Sequence, residues 1–286
     1  MNTLRRQTIA RYADEMLDGS GVTSLPVDPL ELAAGLGIQV VAKPSDQPGA
    51  SGWLMKQGEQ FAIAYATHYS NSGFQRFSVG HELGHFAIDG HPQHLFAAST
   101  FHMSKAGLSS DPIELEADYF SACLLMPKRL AGRLISAKRD GLEAVKAMAE
   151  TCGTSLQAAA IRYAELTDTA MAIVVSRQGA VEYALDRGLR AASGWPSALK
   201  RGSKVPAGSA TARLLKDPAN ALACEEDEAW PDLSDWFHGV SKRLTLREEV
   251  VGLGRDDAFL TLLTLADGED DDEEDDREWE PPTFRR

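Results

Sequence analysis

Five consecutive residues, His81-Glu82-Leu83-Gly84-His85, combine side chains that bind metals with one that moves protons. On a helix, residues four positions apart share a face, so the imidazoles of His81 and His85 can reach the same zinc ion. Glu82 is rotated off that line, towards the place where a water on the metal would lie, and there it can act as general base. The pattern predicts a metallopeptidase centre; the alternative is a surface helix with hydrogen-bonded histidines.

A catalytic zinc site needs a third protein ligand, and the nearest candidate is His91. It stands six positions after His85, where HExxHxxGxxH enzymes carry their third histidine. That motif needs a glycine three residues after the second histidine, because the chain turns sharply there, and this chain has Ile88 at that position. We therefore expect His91 to be a loop histidine after the end of the helix.

The second candidate, Glu114, belongs to a predicted helix that begins after Asp111. Glu114 and Asp118 are four residues apart, which offers one carboxylate for the metal and one to orient an imidazole, most plausibly that of His81. Glu116 lacks such a partner four residues later. The pairing favours Glu114 as third ligand, and its alternative role is a capping interaction at the start of the helix.

Both segments resemble signatures of the ImmA/IrrE family of zinc metallopeptidases. Residues 76–85, Arg-Phe-Ser-Val-Gly-His-Glu-Leu-Gly-His, are similar to the family's RF-(S/T)-x-A-HELGH stretch, with Gly80 in place of the usual alanine. Residues 114–127 resemble its second helix, which ends in Leu-Met-Pro. In looser form the resemblance extends over about residues 5–166, and it includes residues 26–33, similar to the family's N-terminal helix entry.

The resemblance implies a role for each of the matching residues. The implied zinc ligands are His81, His85 and Glu114, with Glu82 as the general base and Asp118 as the carboxylate that orients a histidine. Zn²⁺ is the implied cofactor. No motif identifies the residue that stabilises the oxyanion, and the chain offers four possibilities: His68, Tyr69, His102 and Tyr119.

By this resemblance the chain is a cytoplasmic, gluzincin-like endopeptidase that cleaves a separately encoded helix-turn-helix repressor and so derepresses genes, under stress or in a mobile element. The alternative is a zinc-stabilised binding module that sequesters a repressor or antitoxin without cutting it. A binding module has no need of a base beside its metal, so Glu82 argues for the enzyme.

Length and composition predict two folded domains and a tail. The chain has 286 residues, of which 43% are hydrophobic, enough for two cores. We expect an α+β fold: a zincin-like metallopeptidase domain of helices and a small sheet at residues 1–167, a regulatory or sensor-like α+β domain at 168–266, and an acidic disordered tail at 267–286. No apolar run approaches the length of a membrane span, and the three cysteines show no CxxC spacing, which favours a reducing cytoplasm.

Most of the acidity belongs to the tail. The formal net charge is −13, and residues 267–286 contribute −8 of it through eleven acidic and three basic residues. Seven consecutive acidic residues, 270–276, repel one another too strongly to fold alone. The remaining mildly acidic chain lacks the clustered positive charge that duplex DNA requires, so we expect no direct contact with nucleic acid. The sequence leaves the oligomeric state open.

Hydrophobic periodicity and turn residues predict the elements that must position the site. The strand at 61–67 is expected at the sheet edge beside the HExxH helix, where it would pair with an extended substrate. A helix pair at 142–166 looks like a helix-turn-helix but carries little basic charge, which favours a scaffold role. The predicted elements are helices at 3–17, from 28, and at 73–88, 112–126, 128–137, 142–151 and 155–166; strands at 38–42, 52–56 and 60–66; and hairpins at 170–185 and 248–265, separated by a loop-like segment at 192–210.

Overall fold

The computed structural model describes residues 1–44, 50–67, 71–105, 111–135, 140–194, 199–237, 243–255 and 257–266. The chain divides into two compact units, Met1–Thr169 and Ala170–Arg286. Each unit combines helices with a sheet, which confirms the predicted α+β class. The acidic tail and two of the oxyanion candidates, His68 and Tyr69, lie outside the described residues. No helix in the described ranges is long and apolar enough to cross a membrane.

The first unit contains eight helices and four strands among its described residues. Most predicted elements agree with the structure to within two residues at each end. The predicted helix at 128–137 is wrong, because the helix ends at Ala131 and continues only as one 3-10 turn, Gly132–Leu134. The elements are α1 (Thr3–Gly19), α2 (Pro29–Gly35), β1 (Gln39–Lys43), β2 (Gly52–Gln57), β3 (Gln60–Ala66), α3 (Ser72–Ala87), α4 (His91–Leu95), β4 (Phe101–Ser104), α5 (Pro112–Leu125), α6 (Lys128–Ala131), α7 (Gly141–Cys152) and α8 (Leu156–Leu166).

The sheet of this unit has the order β1-β3-β2-β4. β3 pairs in parallel with β1 and antiparallel with β2, so both of its backbone edges are occupied. The prediction that residues 61–67 form an edge strand is therefore wrong. β4 is the strand at the end of the sheet, with β2 as its partner, and its four residues escaped prediction. The strand at the end of the sheet next to β2 is therefore β4.

The core of the first unit packs α1, α3 and α5 against this sheet. Apolar side chains recur every three or four residues on the helices, so one face of each helix is apolar. The sheet contributes Leu54 and Ile63, which are fully buried. Fully buried side chains from the helices include Ile9 and Ala13 of α1, Val79 and Leu83 of α3, and Phe120 and Leu124 of α5.

The helix pair α7 and α8 uses its basic residue inside the unit. Arg162 is 5% exposed, and its Nε donates to the carbonyl oxygen of Met126 at 2.9 Å. The guanidinium also lies 3.0 Å from a carboxylate oxygen of Glu165. The one basic side chain of α8 is thus used inside the unit, and the scaffold role of the helix pair stays a prediction.

The second unit is built on a five-stranded antiparallel sheet with the order β6-β5-β9-β8-β7. Both predicted hairpins occur. The first turns at Gln178-Gly179, whose φ angles of 50° and 76° suit a tight hairpin turn. The elements are β5 (Met171–Arg177), β6 (Ala180–Arg187), α9 (Leu189–Ser193), α10 (Ala210–Leu214), α11 (Ala219–Leu222), β7 (Glu226–Ala229), α12 (Leu233–Trp236), β8 (Leu246–Gly252) and β9 (Ala258–Leu265).

Candidate metal centre

Helix α3 carries three of the predicted site residues, His81, Glu82 and His85, and all three side chains are fully buried. The helix begins where the Asn71 side chain accepts a hydrogen bond from the backbone N–H of Phe74 at 3.1 Å. A buried helix segment with two imidazoles and a carboxylate is unlike the solvent-exposed helix that was the alternative. Groups of this kind are buried only when something compensates their lost hydration.

Helix α5 brings the fourth predicted residue, Glu114, to the same place. Asp111 caps this helix by accepting from the N–H of Ile113 at 3.0 Å, and Glu114 lies in the first turn. Its carboxylate lies against the histidines of α3. The two helices approach closely because Gly84 faces α5: a Cβ at Gly84 would lie 3.1 Å from the Cα of Ala117.

Three side chains bring their donor atoms together where α3 meets α5. Nε2 of His81 lies 3.0 Å from Nε2 of His85, and these nitrogens lie 3.4 and 3.2 Å from the two carboxylate oxygens of Glu114. Zinc bonds of about 2.0–2.1 Å in a tetrahedron put neighbouring ligand atoms about 3.3 Å apart. The donor set and its spacing therefore fit one divalent zinc ion, and among the described residues this is the group that can hold a metal.

Asp118 lies behind His81, as its spacing from Glu114 predicts. Its Oδ1 is 2.8 Å from Nδ1 of His81, so the Nδ1–H can donate to it while Nε2 faces the metal position. Burial lowers the pKa of His81, but its contacts with Asp118 and Glu114 outweigh burial and raise that pKa to about 10. For Glu114 the two effects have opposite signs. Burial alone would raise the pKa of its carboxyl, but hydrogen bonds with His102, His81 and His85 outweigh burial and lower that pKa well below its usual range.

The two carboxylate oxygens of Glu82 differ in their hydrogen bonding. Oε1 accepts a short hydrogen bond from the hydroxyl of Ser104 on β4. Oε2 is buried and has no hydrogen-bond partner within the described ranges. Burial raises the pKa of the Glu82 carboxyl. A buried carboxylate oxygen without a protein partner fits a group that exchanges a proton with a water or a substrate.

Two of the oxyanion candidates, His102 and Tyr119, can be compared in the structure. Nε2 of His102 lies 3.0 Å from Glu114 Oε1, and its ring packs edge-on to His85 with centroids 4.8 Å apart. Tyr119 instead lies under the guanidinium of Arg6, 5.2 Å from ring centroid to Cζ. Of the two, His102 is the one at the metal position.

The two rejected ligand candidates, His91 and Glu116, lie behind the site and contact each other. His91 opens α4 and is 2% exposed, so the prediction of a loop histidine is wrong. Its Nδ1 lies 3.1 Å from Nδ1 of His85, on the side of that ring away from the donor atoms, and its Nε2 lies 3.1 Å from Glu116. Both residues were candidate metal ligands in the sequence, and their position behind the ring of His85 was not predicted.

Ser104 and Gly52 also escaped the sequence analysis. A signal for Ser104 exists: Phe101 and Met103 are apolar and alternate with His102 and Ser104, which is the period-two pattern of a strand, although four residues is short. Gly52 leaves room for the Glu82 carboxylate, because a Cβ at position 52 would overlap Oε1. No local signal marks Gly52, since this contact is with a side chain thirty residues away.

Comparison with known proteins agrees with this geometry. Residues 33–163 match the family model Peptidase_M78, described as the IrrE N-terminal-like domain. No curated protein sequence matches the chain. Among solved structures, a chain described as a Mycobacterium tuberculosis transcriptional regulator is similar in fold, with a TM-score of 0.58 and 14% identity over 91% of this chain and 76% of that one.

Proposed function

Because residues 33–163 of this chain belong to the Peptidase_M78 family, as an IrrE N-terminal-like domain, we propose that the protein is a zinc-dependent endopeptidase. One observation carries the proposal: the donor atoms of His81, His85 and Glu114 converge at the edge lengths of a zinc tetrahedron, next to a buried Glu82 with one unpaired oxygen. A site that only stabilised the fold would need a closed ligand shell and no base.

When bound, a zinc ion polarises a carbonyl and acidifies water. Glu82 accepts a proton from the attacking water at Oε2 and returns it to the leaving amine nitrogen. Ser104 holds Oε1, so the carboxylate keeps one orientation throughout. His102 is 19% exposed where His81 and His85 are fully buried, and its ring nitrogen is the group we assign to hydrogen-bond the carbonyl oxygen as negative charge develops there.

We further propose that the substrate binds in extended form along β4. This strand is at the end of the sheet and carries both His102 and Ser104, so a peptide paired with the edge that no described strand occupies would run past the metal position. Phe101 and Met103 are 60% and 42% exposed, and they offer apolar contacts on the opposite face. Backbone pairing at a sheet edge is a general way to bind extended peptides.

The protein substrate that we propose is a separately encoded helix-turn-helix repressor, whose cleavage would derepress genes. The support is the resemblance of residues 76–85 and 114–127 to the ImmA/IrrE signatures, together with a related fold in a chain described as a transcriptional regulator. Arg162 is engaged inside the unit, so cleavage of a repressor is favoured over direct binding of α7 and α8 to DNA.

The test is incubation of the zinc-loaded chain with the helix-turn-helix protein encoded beside it, followed by intact-mass spectrometry. Wild type should yield two fragments whose masses add to the substrate plus one water, and the Glu82→Gln variant should yield none while it still binds zinc. Cleavage by the variant would contradict the role of Glu82. A stable complex with an uncut partner would favour the sequestering module instead.

A further inference from the structure

His85 is oriented by a series of polar contacts that begins on the first helix. Its Nδ1 faces Nδ1 of His91, and Nε2 of His91 faces Glu116, both at 3.1 Å. Glu116 receives a two-point ion pair from Arg5 of α1, whose Nε lies 2.7 Å from Oε1 while Nη2 contacts Oε2. We propose that Arg5, Glu116 and His91 are positioning residues that hold the His85 ring ready for the metal, an inference that rests on the proposed metal site.

The hydrogen positions in this series follow from its two ends. If His85 offers Nε2 to the metal, that nitrogen carries no hydrogen and Nδ1 carries one. The Nδ1–H of His85 then donates to Nδ1 of His91, so the single hydrogen of the His91 ring resides on Nε2 and donates to Glu116. Glu116 only accepts, because Arg5 pairs with it as a carboxylate. Each link admits one arrangement, which fixes the tautomer of His85.

The two histidine ligands are thus supported in different ways. His81 meets a carboxylate directly, since Asp118 lies 2.8 Å from it. His85 reaches its carboxylate, Glu116, through a second imidazole that is 2% exposed. A buried N–H that loses its acceptor is destabilised, because it cannot bond to water instead, so the orientation of His85 depends on the ring of His91.

Helix α1 supports this series at two points. Arg5 pairs with Glu116, and the hydroxyl of Tyr12 donates to Asp89 at 2.7 Å, next to the turn that leads into His91. That turn contains Gly90 with a φ of 92°, a left-handed conformation that favours glycine. The residues that match the family model begin at 33, so α1 extends the metal site beyond the matched domain.

The decisive experiment compares His91→Asn with His91→Gln in the full chain. The amide oxygen of asparagine can take the place of imidazole Nδ1 and accept from His85, whereas the amide of glutamine takes the place of Nε2 and leaves His85 without an acceptor. Zinc affinity is measured by competition with a chromogenic chelator. We expect the glutamine variant to bind zinc about 10–100-fold more weakly than wild type, and the asparagine variant to retain most of the affinity.

Arg5 and Arg6 provide a matched pair on one helix. Both side chains are 35% exposed and both pair with a glutamate, Arg5 with Glu116 and Arg6 with Glu165. Arg5→Ala should weaken zinc binding several-fold, and Arg6→Ala should leave it unchanged. Urea unfolding of the two metal-free variants separates this effect from a loss of fold. If both arginines had a purely structural role, both variants would be less stable and neither would bind zinc more weakly.

Nitrogen-15 NMR of the zinc-loaded chain tests the hydrogen positions directly. We expect one hydrogen on Nδ1 of His85 and one on Nε2 of His91. Equal zinc affinity in wild type and His91→Gln, or a hydrogen on Nδ1 of His91, would overturn the inference while the peptidase proposal stands. A wild-type chain that binds no zinc would overturn both.

Discussion

Gly52 of β2 lies directly against the carboxylate of Glu82. A Cβ built on Gly52 would overlap Oε1 of Glu82 and would lie 3.1 Å from its Cγ and Cδ. The same carboxylate accepts from Ser104, whose hydroxyl is also 3.3 Å from the carbonyl oxygen of Gly52. The absence of a side chain at position 52 is therefore what leaves room for the Glu82 carboxylate in its buried position.

Gly52→Ala should remove peptidase activity without removing the metal. The added methyl group displaces the Glu82 carboxylate, because its Cβ would overlap Oε1, and the three atoms nearest to that Cβ all belong to Glu82 and none to His81, His85 or Glu114. We expect turnover to fall by at least about tenfold, because a base displaced by an ångström no longer reaches the reacting proton. The measurement is kcat beside zinc content. The control is Gly35→Ala, where nothing lies within 4 Å of the added Cβ. Lost zinc in Gly52→Ala would contradict this separation.

Ser104→Ala should move the acidic limb of the activity profile to higher pH. Burial raises the pKa of Glu82, and the hydrogen bond from Ser104 opposes that rise by stabilising the carboxylate. In the proposed mechanism Glu82 acts in its deprotonated form, so removing the hydroxyl raises its pKa and the fall in kcat/KM begins at higher pH. The measurement is kcat/KM between about pH 5 and about pH 9, which spans both sides of neutrality.

Ser78→Ala is the matched control for that profile. Ser78 is buried on the same helix as Glu82, but its hydroxyl donates to the carbonyl oxygen of Phe74 at 2.9 Å. We expect this variant to show the wild-type limb. A limb that stays in place in Ser104→Ala, or that moves to lower pH, would disagree with the contact between Ser104 and Glu82.

Metal removal should lower the thermal stability of the chain. The donors of His81, His85 and Glu114 come together only in the fold, so zinc binds the native state preferentially and stabilises it by about 4 kcal/mol at a free concentration of 1,000 times Kd. The check is the unfolding temperature with excess zinc and after chelation. His85→Ala should abolish the difference and Glu82→Gln should retain it. A zinc-dependent shift in His85→Ala would argue that the metal binds elsewhere.

Gly84→Ala should destabilise the chain although alanine is the better helix former. The gain in helix propensity is about 1 kcal/mol. The new Cβ, however, would lie 3.1 Å from Cα of Ala117 and from a ring carbon of Phe120, and a backbone atom cannot move away by a change of rotamer. Overpacking of this kind costs about 1–3 kcal/mol, so the net effect is a loss, with weaker zinc binding as α3 and α5 separate. Urea unfolding measures it. Gly132→Ala, in open space, is the control and should not destabilise.

The parts of the site that the sequence predicts correctly are those formed by residues close together in the chain. The spacing of His81, Glu82 and His85 predicts a shared helix face, and the spacing of Glu114 and Asp118 predicts a second one; the structure brings both pairs to one place. Helix boundaries were readable because they depend on local residues, such as the Asp111 cap. Apart from the helix predicted at 128–137, the failures concern pairings between distant segments.

The position of β3 shows the reason for those failures. Residues 60–66 have a clear strand pattern, yet whether such a strand is central or at an edge depends on which partners fold against it, here β1 and β2. The pattern of one strand contains no information about that choice. The surroundings of His91 could not be predicted for the same reason. Its neighbours Glu116 and His85 belong to α5 and α3, while His91 itself begins α4.

The sequence by itself determined which groups can bind the metal and move the proton, and which helices carry them, because helical periodicity turns spacing along the chain into a shared face. Tertiary structure alone decided which strand lies at the end of the sheet, how Ser104 and Gly52 meet Glu82, and how Arg5 reaches His85 through Glu116 and His91. These relationships depend on packing between segments far apart in the chain, and periodicity carries no information about such distances.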